Sequence, residues 1–201
     1  MDGFGRRTSE KKRAISETAL ALFDQYGFDK VTVAEIAEKA HVSKVSIYNY
    51  FESKDNLRRA IIKEILSESL RRGQQLIERE GSFVDKIAEY IQIRTSYLGK
   101  HSLQFIIDAV DSDTEIRQTM EEFKAANKKL ALQFIDQGKR SGVFSPDISD
   151  HAIQFSIDMF QTYLLQNKEF RDAFEHNPKL AEEVNRLFLN GLVKGPDSGR
   201  A

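Results

Sequence analysis

Between residues 43 and 51 the sequence Ser-Lys-Val-Ser-Ile-Tyr-Asn-Tyr-Phe sets an ammonium, two hydroxyls, two phenols and a carboxamide within about two helical turns. These groups donate and accept hydrogen bonds but include no nucleophile with its base, so they suit recognition rather than turnover. On a helix Ile47 and Phe51, with Val45 as a third candidate, pack inward while Lys44, Ser46, Tyr48, Asn49 and Tyr50 project. Asn matches the edge of adenine and Lys that of guanine or a phosphate, so the projecting set fits the major groove of duplex DNA. No comparable set serves catalysis. The chain has 0 Cys, which removes thiolate chemistry, disulfides and Cys-bound zinc together. His41, His101, His151 and His176 are scattered, with no pair at metal-ligand spacing. Neither a Gly-x-Ser-x-Gly elbow nor a phosphate-binding Gly loop occurs, and Gly3-Phe4-Gly5 falls in the N-terminal arm. A protein that is not an enzyme, with no metal and no cofactor, is expected.

The flanking elements must hold that short helix against a groove. A first helix opening at Thr8 or Ser9 carries Ile15, Thr18, Ala19, Leu22, Phe23 and Tyr26 at three- and four-residue spacing and stops at Gly27. Thr32-Val33-Ala34-Glu35 is a capping box for a second helix of about two turns, with Ile36, Ala37 and Ala40 inward. His41-Val42 breaks it, Ser43 caps the third helix, and Ser53 with Asp55 opens a fourth. The fourth carries Leu57, Ile61, Ile62, Ile65, Leu66 and Leu70, and Arg71-Arg72-Gly73 is its expected end. Two short helices joined by a tight turn, the second capped by Ser and rich in polar and aromatic groups, make a helix-turn-helix.

The ordered set Thr32-Val33-Ala34-Glu35-Ile36-Ala37, Val42-Ser43-Lys44, Ile47-Tyr48-Asn49-Tyr50-Phe51 and Lys54-Asp55-Asn56-Leu57 resembles the DNA-binding domain of the TetR family of repressors, over about residues 9–58. The resemblance implies that Thr32 contacts a phosphate and that Lys44, Ser46, Asn49 and Tyr50 face the groove. It also implies that Tyr48 touches the DNA backbone and that Lys54 grips a phosphate. Further, it implies a homodimer on a near-palindromic operator and a divergent helical C-terminal domain that binds an effector and dimerises. Two positions depart from the family pattern. His41 stands where Gly is usual in the turn, and His tolerates left-handed backbone better than most residues. Val45 stands where Gly often follows the Ser-Lys pair, to pack on DNA sugar or thymine methyl groups or to fill the scaffold.

Beyond residue 74 the spacing predicts helices at 82–98 and 103–110. It predicts a long one from a capping box Ser112-Asp113-Thr114-Glu115 to Gly138, another opened by Ser145-Pro146-Asp147, and a last one from Asn177-Pro178. Tyr90, Arg94 and Tyr97 share a stripe on the first of these, Phe105 and Asp108 lie on the next, and Phe123, Asn127 and Phe134 line the long one. Phe155, Asp158, Met159 and Thr162 can face them. Such stripes are more often core than pocket; read as a pocket, they suit a small hydrophobic or amphipathic effector. The aspartates would favour a cation and Arg94 an anion, a choice that stays open here. The last two long helices carry more apolar surface than one copy can cover, so Ile153, Phe160, Tyr163, Leu164, Val184, Leu187 and Phe188 are the expected dimer interface.

The expected fold is all-α. Residues 1–8 form a flexible basic arm, 9–58 the helix-turn-helix domain, with the fourth helix from about 53 to 73 linking it onward. Residues 74–193 form the effector and dimer domain, and 194–201 a tail. Net charge is −1, yet residues 1–60 hold 11 Lys/Arg against 9 Asp/Glu, so the basic excess is N-terminal. With no apolar leader and no membrane-length apolar run, a cytoplasmic protein without membrane contact is expected. The reading is a repressor that binds operator DNA and is released by a small, largely apolar effector. The alternatives are an effector-independent DNA-binding protein with a solidly packed C-terminal domain, or a helical enzyme.

Overall fold

The computed structural model describes residues 3–98 and 103–193, with side chains described outside 3–4, 91–98, 103, 161, 165 and 175. These residues form α1 (Gly3–Tyr26), α2 (Val33–Lys39), α3 (Lys44–Phe51), α4 (Lys54–Glu78) and α5 (Phe83–Leu98). After them come α6 (Leu103–Ser112), α7 (Thr114–Arg140), α8 (Asp150–Gln166), α9 (Lys168–His176) and α10 (Pro178–Leu192). The described residues contain no strand; the one extended pairing among them is an isolated bridge between Phe144 and Val193. No helix among them is long and apolar enough to cross a membrane.

The chain divides into two compact units, one comprising residues up to Leu66 with Gln104–Met120, the other Ser67–Leu103 with Glu121 onward. Thus α6 and the first turns of α7, expected with the C-terminal domain, belong to the N-terminal unit. Its core is Ile15, Ala19, Leu22 and Phe23 of α1, Ile36 and Ala37 of α2, Ile47 of α3, Leu57, Ile61 and Ile62 of α4, and Phe105 and Ile106 of α6. Phe23 sits at its centre, 5.2 Å from the Phe28 ring and stacked 5.8 Å from Phe105. In the second unit Leu76, Phe83, Phe134, Ile135, Phe144, Ile153, Leu189 and Leu192 form one cluster, and Leu164, Phe174 and Ala181 another.

Several boundaries differ from the sequence expectation, each for a local reason. α1 begins at Gly3 rather than at Thr8 or Ser9; the segment holds no proline, and Arg6 pairs with Glu10 one turn on. α4 runs past Gly73 to Glu78: a Cβ at Gly73 would lie 3.3 Å from Leu130 Cδ1, so this glycine admits a neighbouring side chain instead of ending the helix. Likewise α7 continues through Gly138, where a Cβ would fall 2.1 Å from Phe144 Cδ2. The cap of α7 is Asp113, whose Oδ1 accepts from the Glu115 and Ile116 amides at 2.9 and 3.2 Å, while Ser112 closes α6 by donating to the Asp108 carbonyl at 2.6 Å. α8 opens at Asp150 behind the cap Ser149, three residues beyond the expected start. Finally, α9 was not foreseen; Asn167 ends α8 and also caps α9, its side chain accepting from the Phe170 amide at 2.9 Å.

Candidate nucleic-acid interface

α2 and α3 are set by side-chain caps. The Thr32 amide donates to Glu35 Oε2 at 2.7 Å and the Glu35 amide to Thr32 Oγ1 at 3.2 Å, so the capping box is complete. The Thr32 hydroxyl, which donates to Glu35 Oε2 at 2.7 Å, and then the Thr32 amide hold the Glu35 carboxyl below its ordinary pKa. At the turn His41 adopts φ 53°, the left-handed geometry expected of it, and Val42 donates to the Ala37 carbonyl at 3.0 Å. Ser43 then caps α3, accepting from the Ser46 amide at 3.1 Å. α3 ends at Glu52, also left-handed at φ 67°, whose amide bonds the Tyr48 carbonyl at 2.8 Å.

One residue anchors the recognition helix: Ile47 is 1% exposed. Lys44, Tyr48 and Asn49 are exposed; Ser46, at hydrogen-bond distance from Ser43 (2.9 Å), and Tyr50 are half-buried. Val45 is 65% exposed, so the inward placement offered for it is corrected: it stands on the open face, while Phe51 is half-buried. Tyr50 meets the edge of Phe51 and lies under the Lys12 ammonium, 5.7 Å from its ring centre. Lys54, expected to grip a phosphate, donates to the Phe28 and Val31 carbonyls at 2.9 and 3.0 Å and sits over the Phe28 ring. The turn between α1 and α2 leaves those carbonyls without helical partners, and the ammonium answers them.

Where α4 meets the junction of α6 and α7 lies a charged cluster that sequence reading missed. Arg58 and Asp113 are 6% and 5% exposed. Arg58 lies over the Phe28 ring at 3.8 Å, with Nη2 3.5 Å from Asp113 Oδ2. Arg59 Nε donates to the same oxygen at 2.8 Å, and its Nη1 lies 3.1 Å from Glu115. Burial pushes the Asp113 carboxyl up, but the Arg59 bond and the Ile116 and Glu115 amides outweigh it and hold the group below its usual value. The signal that could have found it was Asp113 itself, an acid at a helix start.

Burial matches the effector and interface assignments only in part: Tyr163 and Leu187, expected at the interface, are open, but so are Phe155 and Met159, expected in the pocket. On α8 Phe155, Met159 and Tyr163 are 66%, 60% and 52% exposed, and Leu187 of α10 is 72% exposed. Asp158 and Thr162 are exposed too, Asp158 beside Lys128 at 3.2 Å. Conversely Ile153 and Leu164, expected at the interface, are buried, and Phe160, Val184 and Phe188 are half-buried. These last three line, with Tyr90, Ser156, Ile157 and Asn185, a cavity of about 70 Å³. Of the expected pocket residues Tyr90 alone lines it among those described, and Phe134 is core, stacked 4.6 Å from Tyr90. Phe123 and Asn127 are half-buried on α7. Phe105 belongs to the core of the N-terminal unit, as does the helix of Asp108, which is exposed and accepts from Gln104. The side chains of Arg94 and Tyr97 lie outside the described residues, as do residues 1–2 of the arm and the tail 194–201. Among the described residues no group of His, Asp and Glu could hold a metal ion.

Residues 15–61 match the family described as bacterial regulatory proteins, tetR family. The chain is 25% identical to the fatty acid metabolism regulator protein of Bacillus subtilis over 189 residues, 90% of this chain and 95% of the relative. It is 20% identical to the HTH-type transcriptional repressor KstR2 of Mycobacterium tuberculosis over 200 residues, 97% of each. The fold matches the crystal structure of the transcriptional regulator FadR from Bacillus subtilis in complex with stearoyl-CoA. There the TM-score is 0.65 at 20% identity, covering 90% of this chain and 98% of that one.

Proposed function

Because the chain belongs to the TetR family of bacterial regulatory proteins, we propose that it is a transcriptional repressor that binds a near-palindromic operator as a homodimer in the cytoplasm and is released by a small, largely apolar effector. The observation that carries the DNA reading is α3: a Ser-capped helix anchored by Ile47, with Lys44, Tyr48 and Asn49 open to a partner. Lys44, Ser46, Asn49 and Tyr50 are assigned to the groove, Asn49 to an adenine edge and Lys44 to a guanine or phosphate, and Tyr48 and Thr32 to the backbone. Lys54 keeps one proton for a phosphate beyond its two carbonyl bonds.

The effector reading rests on the cavity between α5, α8 and α10, on a relative named as a fatty acid metabolism regulator, and on a matching fold crystallised with stearoyl-CoA. The cavity's described lining is aromatic and aliphatic apart from the Ser156 hydroxyl, which donates to the Ala152 carbonyl, and one buried amide. The Asn185 nitrogen donates to the Ala181 carbonyl at 2.8 Å, which leaves its oxygen to accept from a ligand. At about 70 Å³ the cavity is well below the roughly 300 Å³ of a drug-sized site, so an acyl chain must open it to enter. That gives the effector a differential affinity for two states, the requirement for coupling. α4, which belongs to both units, is the element assigned to transmit it.

Selection of duplexes from a random pool tests the DNA reading, with Asn49→Ala plus Tyr50→Ala as the control. A near-palindrome recovered by the wild type and lost by the control is expected; no enrichment by a folded wild type refutes the reading. Adding stearoyl-CoA to the recovered complex then tests the effector class by release.

A further inference from the structure

The basic residues from Arg6 to Arg13 stand on a helix, and their pairing differs from one side of it to the other. On the outer side Arg6 and Glu10 lie 3.6 Å apart and Arg13 and Glu17 3.5 Å, each pair one turn apart. Arg7, Lys11 and Lys12 are exposed and have no acidic partner among the described residues. At 100° per residue, Arg7 and Lys11 fall on one flank of the buried Ile15–Ala19 stripe and Lys12 on the other. The unpaired cations therefore border the line of the buried face where it runs on beyond the core. Arg7 and Lys11 are also like charges at i,i+4, an arrangement that repels within a helix and is relieved by an anion.

Lys12 fixes where this face lies, because its ammonium stands over the Tyr50 ring on the recognition helix. A helix reaching into the major groove has a phosphate ridge on either side. From Lys12 back to Arg7 α1 rises about 7.5 Å, the axial height of about two phosphates of one strand. We propose that this face of α1 is a second, sequence-independent DNA contact, in which Arg7, Lys11 and Lys12 take phosphates flanking the groove that α3 reads. It rests on the DNA-binding reading above and adds to it a set of contacts outside the helix-turn-helix.

The test is the salt dependence of operator binding by the full chain, compared with Arg7→Gln/Lys11→Gln and with Arg6→Gln/Arg13→Gln, which removes the same charge from the outer side. Each lost phosphate contact lowers the slope of log affinity against log salt by about 0.9, so the first variant should lose about 1.8. Its ranking of operator variants should not change. An unchanged slope in that variant, or an equal loss in the outer pair, overturns the contact and leaves at most a general field of charge. Failure of the wild type to bind any duplex would instead refute the DNA reading itself, and this proposal with it.

Discussion

Asp113 is buried between two guanidiniums, and its carboxyl titrates below the ordinary value in the fold. A depressed acid contributes stability that is complete above its unfolded pKa and is lost as pH falls through the folded one. The urea midpoint should therefore drop below about pH 4, and drop less steeply in Asp113→Asn. That variant should also cost about 3 kcal/mol at neutral pH, since the buried Arg58 would lose Asp113 and keep as its acid only the exposed Asp55, 3.5 Å from Nη2. Gly138 makes the opposite kind of demand, for space. A methyl there meets Phe144 at 2.1 and 2.6 Å and Phe83 at 2.7 Å, and both rings are buried, so Gly138→Ala should cost about 2 kcal/mol or more by denaturation. Lys54→Met tests a third role. Losing two carbonyl bonds should destabilise the N-terminal unit by about 1–3 kcal/mol without DNA present; an unchanged midpoint would show that the ammonium matters only to DNA.

At the scale of elements, what could be read from sequence was what local chemistry decides. The Thr32–Glu35 box, the Ser43 cap, the His41 turn and the Asn177 cap with Pro178 all stand where side chains two or three residues away require them. Glycines misled because two of them serve neighbours: Gly73 and Gly138 sit inside helices to admit Leu130 and Phe144. α9 stayed hidden because Asn167 both stops one helix and starts the next, so the apolar spacing reads on without a gap. The phase of α8 was undetermined because both its stripes are apolar. Ile153, Phe160 and Leu164 on one side and Phe155, Met159 and Tyr163 on the other have equal claim to the core until the packing partners are known. For the same reason the exposed face of α3, with Lys44, Tyr48 and Asn49, was legible and the cavity was not: the first lies on one short helix, the second is made by three.

At the scale of the molecule, Phe155, Met159, Tyr163 and Leu187 are large apolar side chains left in the open. The occupant we propose for them is a second copy, which would present the same stripe by two-fold symmetry. Met159→Glu with Leu187→Glu should give a monomer by sedimentation and weaken operator binding about a hundredfold or more, as two linked half-sites become one. A dimer that survives both charges would place the interface elsewhere.

The N-terminal unit is also discontinuous in the chain. Phe105 completes the packing around Phe23, and Asp113 answers Arg58 and Arg59, although both arrive some fifty residues or more after the helix-turn-helix ends. The reading head is consequently not portable. Cut out as residues 1–66, it would expose an aromatic centre and take Asp113 from Arg58 and Arg59, and it should be proteolysed rapidly and show no cooperative melting. A chimaera meant to lend this specificity to another protein has to carry residues 104–120 with it.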